Sequence, residues 1–241
     1  TGNITNGSSS EISIEGNNSA GISLQSTLDG DLTIDGAVYI VGDDSTAIEA
    51  LEAISADVLI SSSITSRGEN AVALDMQGDI GGAFTVESYV YSTGFESTSA
   101  TNYILPSNVD DDTEAVEDRL DADAILDNTA TVSIGGSVDG GILINGAVDD
   151  YISEEDSDDE TKDTIEDYDE NRTTGTIYSY GSGPALLISA DADNEADGDL
   201  VIGTVVETVR DTTDDDDDDD VTEPLAVFDY DYGLINRGAI G

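Results

Sequence analysis

Three stretches of the chain read Gly16-Asn-Asn-Ser19-Ala-Gly21-Ile22, Gly42-Asp-Asp-Ser45-Thr-Ala47-Ile48 and Gly68-Glu-Asn-Ala71-Val-Ala73-Leu74. They are spaced by 26 residues both times, and each joins a glycine-led polar turn to an apolar segment. A repeat at constant spacing indicates that one small structural unit is stacked on copies of itself. This periodicity decides the fold class before any other property of the sequence.

The segments between these turns alternate apolar and polar residues, which predicts short strands with one buried face. A unit of 26 residues can bury that face only against neighbouring copies. We therefore predict an all-β fold, a parallel β-helix (β-solenoid) with about 26 residues per coil. A β-sandwich is the alternative, and it would favour tight two-residue hairpins. The recurring strand positions are Leu32/Ile34, Val58/Ile60 and Phe84/Val86, and a second series is Ile12, Val38, Ile64 and Val90.

The second half of the chain keeps the same kind of pattern. We predict that each of three later segments occupies the position of an earlier one in the coil. These are Val132–Val138 on Leu32–Val38, Gly183–Ile188 on Ala20–Leu24 with Ala185 on Gly21, and Asp197–Ile202 on Asp29–Ile34. The best helical candidate is a short helix over Glu114–Asp127, where several apolar residues could face one way.

The charge is concentrated in three segments. The chain has 241 residues, with 55 Asp and Glu against 6 Lys and Arg, and its formal net charge is −49. Residues 95–129, 148–172 and 206–225 hold 33 of these acids, which leaves a weakly acidic, apolar framework. We predict one solenoid domain over residues 1–241, or a segment of a longer one, with these three acidic insertions projecting as loops from the coil corners. Salt adaptation is the alternative, and it predicts acid over the whole surface.

The composition excludes several classes of function. The chain contains no Cys, no His and no Trp, which excludes disulfides, thiol nucleophiles, imidazole acid–base chemistry and His-ligated metals. Its negative charge repels nucleic acid and anionic lipid, and no apolar run has transmembrane length, so we expect no membrane insertion. We predict that the protein is not an enzyme. Glycoside hydrolysis needs only two carboxylates and remains a less favoured alternative.

Two acidic stretches are candidate calcium ligands. In the first, carboxylates alternate around Gly198, an arrangement that suits the six to eight oxygen ligands of calcium. Thr204 stands where such a loop would carry its final Glu, and a solvated turn is the alternative. In the second, consecutive Asp residues could bind divalent cations collectively or form a solubilising loop. The candidate ligands for Ca²⁺ are Asp191, Asp193, Glu195, Asp197 and Asp199, and Asp214, Asp216 and Asp218.

Aromatic residues also alternate along predicted strands, at Tyr89/Tyr91, Tyr178/Tyr180 and Phe228/Tyr230/Tyr232. Alternation places each set on one face of its strand. Such a tyrosine stripe could bind surface glycans or partner proteins. The alternative is ordinary packing between stacked coils, where cross-strand pairs contribute about 0.2–1 kcal/mol each.

The segments Gly181–Ser189, Gly233–Ile240 and Asn3–Gly7 resemble repeats in the passenger (β-helix) region of large bacterial autotransporter-type surface proteins. The similar group is the Gly/Asn-rich type of alphaproteobacteria, and the resemblance covers the framework. It implies a right-handed β-helix exported to the cell surface or beyond. Many such regions are adhesins or surface-layer material, and some are enzymes.

These observations together predict an extracellular structural or adhesive solenoid that forms or decorates a cell-surface layer or filament. The chain begins and stops inside repeats, so we expect it to stack on neighbouring copies, end to end or laterally, or on adjoining solenoid repeats. A calcium-dependent binding module is the alternative.

Overall fold

The computed structural model describes residues 2–94, 129–145, 175–189, 200–210, 224–229, 231–236 and 239–240. Every regular element in these ranges is a β-strand, and most of the strands form three parallel sheets. Each sheet is built from strands that recur once per turn of the chain, which is the arrangement of a parallel β-solenoid. The predicted fold class is therefore confirmed.

The strands of each sheet are stacked in chain order. The first sheet contains β1 (Ile4–Asn6), β4 (Leu32–Ile34), β7 (Val58–Ile60), β10 (Phe84–Val86), β13 (Ile142–Ile144) and β18 (Leu234–Asn236). The second contains β2 (Glu11–Glu15), β5 (Ala37–Val41), β8 (Ile64–Arg67), β11 (Tyr89–Thr93), β14 (Thr176–Tyr180) and β19 (Ala239–Ile240). The third contains β3 (Ala20–Leu24), β6 (Thr46–Ala50), β9 (Val72–Met76), β12 (Val132–Ile134) and β15 (Leu186–Ile188).

The 26-residue period of the sequence sets the register of the parallel strands. Leu32 pairs with Val58, and Val58 pairs with Phe84, each 26 residues further on. Inward-facing apolar side chains consequently stack in columns, and Leu32, Val58 and Phe84 are fully buried. Burying one such side chain contributes about 1.5–3 kcal/mol. The stability of the solenoid is therefore distributed along the columns, each coil depending on its two neighbours.

The turn between the second and third sheets explains the glycine-led repeat. Gly16, Gly42 and Gly68 have φ angles of 159°, 156° and 146°. Two residues after each glycine, the chain enters the left-handed region, where Asn and Asp are better tolerated than most residues. These residues are Asn18, Asp44 and Asn70, with φ angles of 52°, 53° and 57°. The turns at Gly42 and Gly68 lie directly on the turn of the preceding coil, which leaves no room for a larger first residue there.

The three long segments that interrupt the period lie between sheets, at three different corners. The chain between Thr93 and Thr129 joins the second sheet to the third, and that between Asn145 and Gly175 joins the first to the second. The chain between Ile188 and Leu234 joins the third sheet to the first. After each interruption the strands resume parallel pairing with the coil below.

The last of these segments contains a pair of antiparallel strands. Strand β16 (Val206–Arg210) pairs antiparallel with β17 (Pro224–Asp229), and their register shifts between Val209 and Arg210. The predicted loop insertion 206–225 therefore begins with a strand and ends inside one. The β-branched residues Val206, Thr208 and Val209 are the sequence signal for this strand.

Two of the three matches predicted for the second half are wrong in register. Val132 pairs with Leu74, so Val132–Ile134 continues the third sheet rather than the first. Ile202 forms a bridge to Val138, in a series that begins at Leu28, and does not follow Ile34. The error arises because strands of the first and third sheets share one local pattern, apolar–x–apolar–x–Gly, as in Leu32–Gly36 and Leu74–Gly78. The third match is correct, since Leu186 pairs with Val132 and so stacks above Ile22.

Candidate functional site

The outer face of the second sheet carries most of the tyrosines that the structure describes. Tyr39, Thr65, Tyr91 and Tyr178 follow one another in register across four successive strands. They alternate with inward-facing residues such as Val38, so their side chains lie on the outside of the solenoid. The predicted strand pairs Tyr89/Tyr91 and Tyr178/Tyr180 belong to this face, which we call the tyrosine face (Tyr39, Tyr89, Tyr91, Tyr178 and Tyr180).

A buried arginine divides the tyrosine face. Arg67 is only 4% exposed, although its strand position points outward. Its Nη2 donates a hydrogen bond to the Tyr91 hydroxyl at 2.8 Å. Its guanidinium carbon lies 5.3 Å from the ring centroid of Tyr39 and 5.9 Å from that of Tyr91. Both distances are within the range of a cation–π interaction, which strengthens when the cation is desolvated.

The surroundings of Tyr39 further favour the protonated form of its phenol, which an ordinary tyrosine already has at neutral pH. Burial raises the pKa of the Tyr39 hydroxyl above its usual value. The positive charge of Arg67 opposes this effect, whereas Tyr91 and the carboxylate of Glu15 add to the increase. The Tyr39 ring therefore stays neutral well above physiological pH, and the negative face of its π-system remains available to Arg67.

Beyond Arg67 the tyrosine face opens to solvent. The rings of Tyr91 and Tyr180 meet edge to face, with centroids 6.1 Å apart and planes at 85°. Tyr178 and Tyr180 are 6.4 Å apart and tilted by 45°. Tyr89, Tyr178 and Tyr180 are 60%, 38% and 41% exposed. Exposed rings with hydroxyl tips combine an apolar contact surface with hydrogen-bonding groups, which suits an amphipathic ligand such as a sugar chain.

The described acids of the framework have a different role, which is to connect coils. Asp31 Oδ1 accepts a hydrogen bond from the backbone N–H of Asp57 at 3.1 Å, and Asp57 Oδ1 accepts one from Ala83 at 2.7 Å. At another corner, Asp43 Oδ1 accepts the backbone N–H of Glu69 at 2.8 Å. These carboxylates satisfy turn donors of the next coil, and no group of three or more acids in the described part of the chain could hold a metal ion.

The predicted calcium ligands lie outside the described residues. This applies to Asp191, Asp193, Glu195, Asp197 and Asp199, and equally to Asp214, Asp216 and Asp218. The predicted helix over 114–127 and Tyr230 also lie outside them. Calcium binding consequently stays a prediction.

A comparison with known protein families, curated proteins and solved structures finds no match. The resemblance to autotransporter passenger regions therefore stays an expectation from the repeats. Within the described ranges, no helix is long and apolar enough to cross a membrane.

The role of Arg67 could not be foreseen from its neighbours in sequence. An isolated basic residue among many acids is ordinarily expected to form a simple salt bridge. The 26-residue period does place it above Val41 and below Thr93, beside the line of tyrosines. The 26-residue period therefore predicts the position of Arg67 in the sheet, but it does not predict which side chains Arg67 contacts.

Proposed function

We propose that this chain is a structural and adhesive β-solenoid of a bacterial cell surface or the extracellular space. In this proposal it forms or decorates a surface layer or filament by stacking end to end on copies of itself, and it acts without catalysis. One observation carries the proposal, which is that both ends of the described solenoid present open strand edges and partly exposed aliphatic columns.

The first coil shows this opening at one end. Strands β1, β2 and β3 are the outermost members of their sheets among the described residues. Ile12 and Ile22 are partly exposed, whereas their counterparts one coil later, Val38 and Ile48, are buried. The difference arises because nothing in the described structure covers the first coil on its outer side.

The last coil shows the same opening at the other end. Leu234 is 40% exposed and Ile240 is 38% exposed, although the residues beneath them, Ile142 and Ile177, are fully buried. Open strand edges are ready templates for pairing with another chain. The partner whose ladder and columns fit both ends is another coil of the same geometry, supplied by a second copy of this chain or by adjoining solenoid repeats.

The charge of −49 makes this association dependent on salt. Copies that approach each other repel, and this repulsion is screened over about 10 Å at 0.1 M ionic strength and over shorter distances at higher salt. We therefore expect end-to-end assembly to strengthen as ionic strength rises. Hydrophobic contact between the aliphatic columns supplies the attraction.

The proposal predicts that Ile12→Asp weakens self-association by at least about tenfold, because the new carboxylate would be buried without a partner at the stacked end. Ser13→Asp is the matched control, since it adds the same charge to the exposed face of the same strand. Sedimentation and solution scattering at 0.05 M and 0.5 M salt measure the effect. A wild-type chain that stays monomeric at every concentration and salt level would overturn self-stacking.

The exposed part of the tyrosine face favours a second, compatible function, which is adhesion to neutral surface glycans. We expect Tyr178→Ser to lower affinity for a neutral oligosaccharide by about 2–10-fold, the loss of one aromatic contact. Tyr232→Ser is the control. Tyr232 is 66% exposed, but it lies just before β18, which belongs to the first sheet and not to the second sheet that carries the tyrosine face. Titration against immobilised oligosaccharides measures both. Equal losses in the two variants, or no binding by the wild type, would contradict glycan adhesion.

A further inference from the structure

The interior of the second sheet changes from aliphatic to polar along a single column. Ile14 and Ile40 occupy the first two levels, and Ser66, Ser92 and Ser179 occupy the next three, in continuous parallel register. Ser66 and Ser92 are fully buried. Neither the proposed stacking nor the tyrosine face uses these hydroxyls, which we call the serine column (Ser66, Ser92 and Ser179).

Only the middle member of the serine column has a protein partner. Ser92 Oγ lies 2.6 Å from Thr131 Oγ1, and the Thr131 hydroxyl donates to the backbone carbonyl of Tyr178 at 2.9 Å. A threonine hydroxyl has one proton to donate. Ser92 must therefore be the donor to Thr131, which leaves the lone pairs of the Ser92 oxygen available as acceptors.

The hydroxyls above and below Ser92 are buried without a hydrogen-bond partner. The Oγ atoms of Ser66 and Ser179 are both inaccessible to solvent, and neither has a hydrogen-bond partner in the described part of the chain. Leaving a buried hydroxyl unsatisfied is costly, and native interiors usually resolve the cost with protein groups or ordered water. Two orphan hydroxyls on either side of one satisfied hydroxyl therefore point to a ligand between the levels.

The spacing of a parallel sheet fits one ligand in particular. Equivalent atoms on adjacent strands are about 4.8 Å apart, which is too far for a direct hydrogen bond. Two hydrogen bonds of about 2.8 Å that meet at a near-tetrahedral angle span about 4.6 Å. A water molecule between two stacked serines therefore matches the rise from one coil to the next.

Side-chain volume falls along this column, because serine replaces the larger isoleucine of the lower levels. The column of the third sheet that contains Thr131 has the small, buried residues Ala73 and Ala185 on the adjacent levels. Buried waters need room and at least two polar partners. The serine column provides partners at three successive levels, with Thr131 beside the middle one.

We propose that the serine column is a built hydration site, in which one water molecule bridges Ser66 to Ser92 and another bridges Ser92 to Ser179. In each bridge the water donates a hydrogen bond to the Ser92 oxygen. Between the water and the outer serine, Ser66 or Ser179, either partner can be the donor. Ser66 and Ser92 both precede the interruption that begins after Thr93, whereas Ser179 follows the interruption that ends at Gly175. The water between Ser92 and Ser179 therefore joins β11 to β14 across the first two long interruptions.

The sign of a stability change tests this site. If water bridges the serines, Ser66→Ala removes one anchor of a bound water and lowers the Tm by about 2–4 °C. If the hydroxyl is instead a dry orphan, the same substitution relieves a penalty and raises the Tm. Ser13→Ala, on the exposed face of β2, is the control and should leave the Tm unchanged.

A second measurement counts the waters themselves. Magnetic relaxation dispersion of water nuclei detects molecules held for longer than the tumbling time of the protein. We expect the wild type to show a long-lived contribution. In Ser66→Ile this contribution should fall, because the variant continues the isoleucine of position 40 to the next level of the column and displaces the water. A rise in Tm for Ser66→Ala, or the same long-lived contribution in wild type and Ser66→Ile, would overturn the proposal.

Discussion

Replacing Gly42 with alanine is expected to lower the free energy of unfolding by about 2–6 kcal/mol. Two effects combine at this position. The φ angle of 156° is one that L side chains rarely adopt, at a cost of about 1–3 kcal/mol. The new Cβ would also clash with the Gly16 carbonyl oxygen in the coil beneath, so the stacked turns must shift apart. Forcing extra atoms into a packed site costs a further 1–3 kcal/mol or so.

Gly16→Ala separates the two effects. Gly16 has nearly the same φ angle, 159°, but no coil lies beneath it in the described structure. The nearest atom to a Cβ there is the Ser19 hydroxyl oxygen, at 3.2 Å. This variant should therefore lose only the conformational part, about 1–3 kcal/mol. Thermal unfolding of both variants gives the comparison, and equal losses would show that close stacking of the turns contributes nothing.

Phe84→Ala is the second large effect, with an expected loss of about 3–5 kcal/mol. Phe84 is the largest fully buried side chain of the described core, and it lies between Val58 and Ile142 in the first sheet. Truncation leaves a cavity that rigid strands on both sides cannot fill by collapse. The expected Tm decrease is roughly 10 °C.

The strands that lose protection from hydrogen exchange in Phe84→Ala provide a second test. Because each coil contacts only its neighbours, protection from hydrogen exchange should fall in β7, β10 and β13 and stay unchanged in β2. Phe84→Leu conserves most of the volume and should cost less than about 1.5 kcal/mol. A uniform loss of protection across all coils in Phe84→Ala would contradict independent, nearest-neighbour stability.

The sequence predicted the fold of the first three coils in detail because periodicity and register are the same physical quantity in a solenoid. Leu32, Val58 and Phe84 could be placed on one another from spacing alone, and the sheets confirm each placement. Spacing fails where long interruptions intervene. Val132 then had to be placed by local pattern, which the first and third sheets share, and its register was wrong.

The candidate site was only partly predictable for a related reason. Alternation places Tyr178 and Tyr180 on one face of a strand, and the structure confirms that prediction. The burial of Arg67 between two tyrosines and the isolation of the Ser66 hydroxyl depend on side-chain contacts across coils. Local sequence carries no signal for such contacts, because the partners are a full turn or more away in the chain.

The corners at which the long segments depart have a practical consequence. Each segment leaves one sheet and returns to the next with the parallel pairing intact, whatever its length. The solenoid therefore constrains only the two anchor points of a segment and not its content. A peptide epitope or small folded domain with closely spaced termini could be grafted between Thr93 and Thr129, which makes this framework a display scaffold with three independent attachment sides.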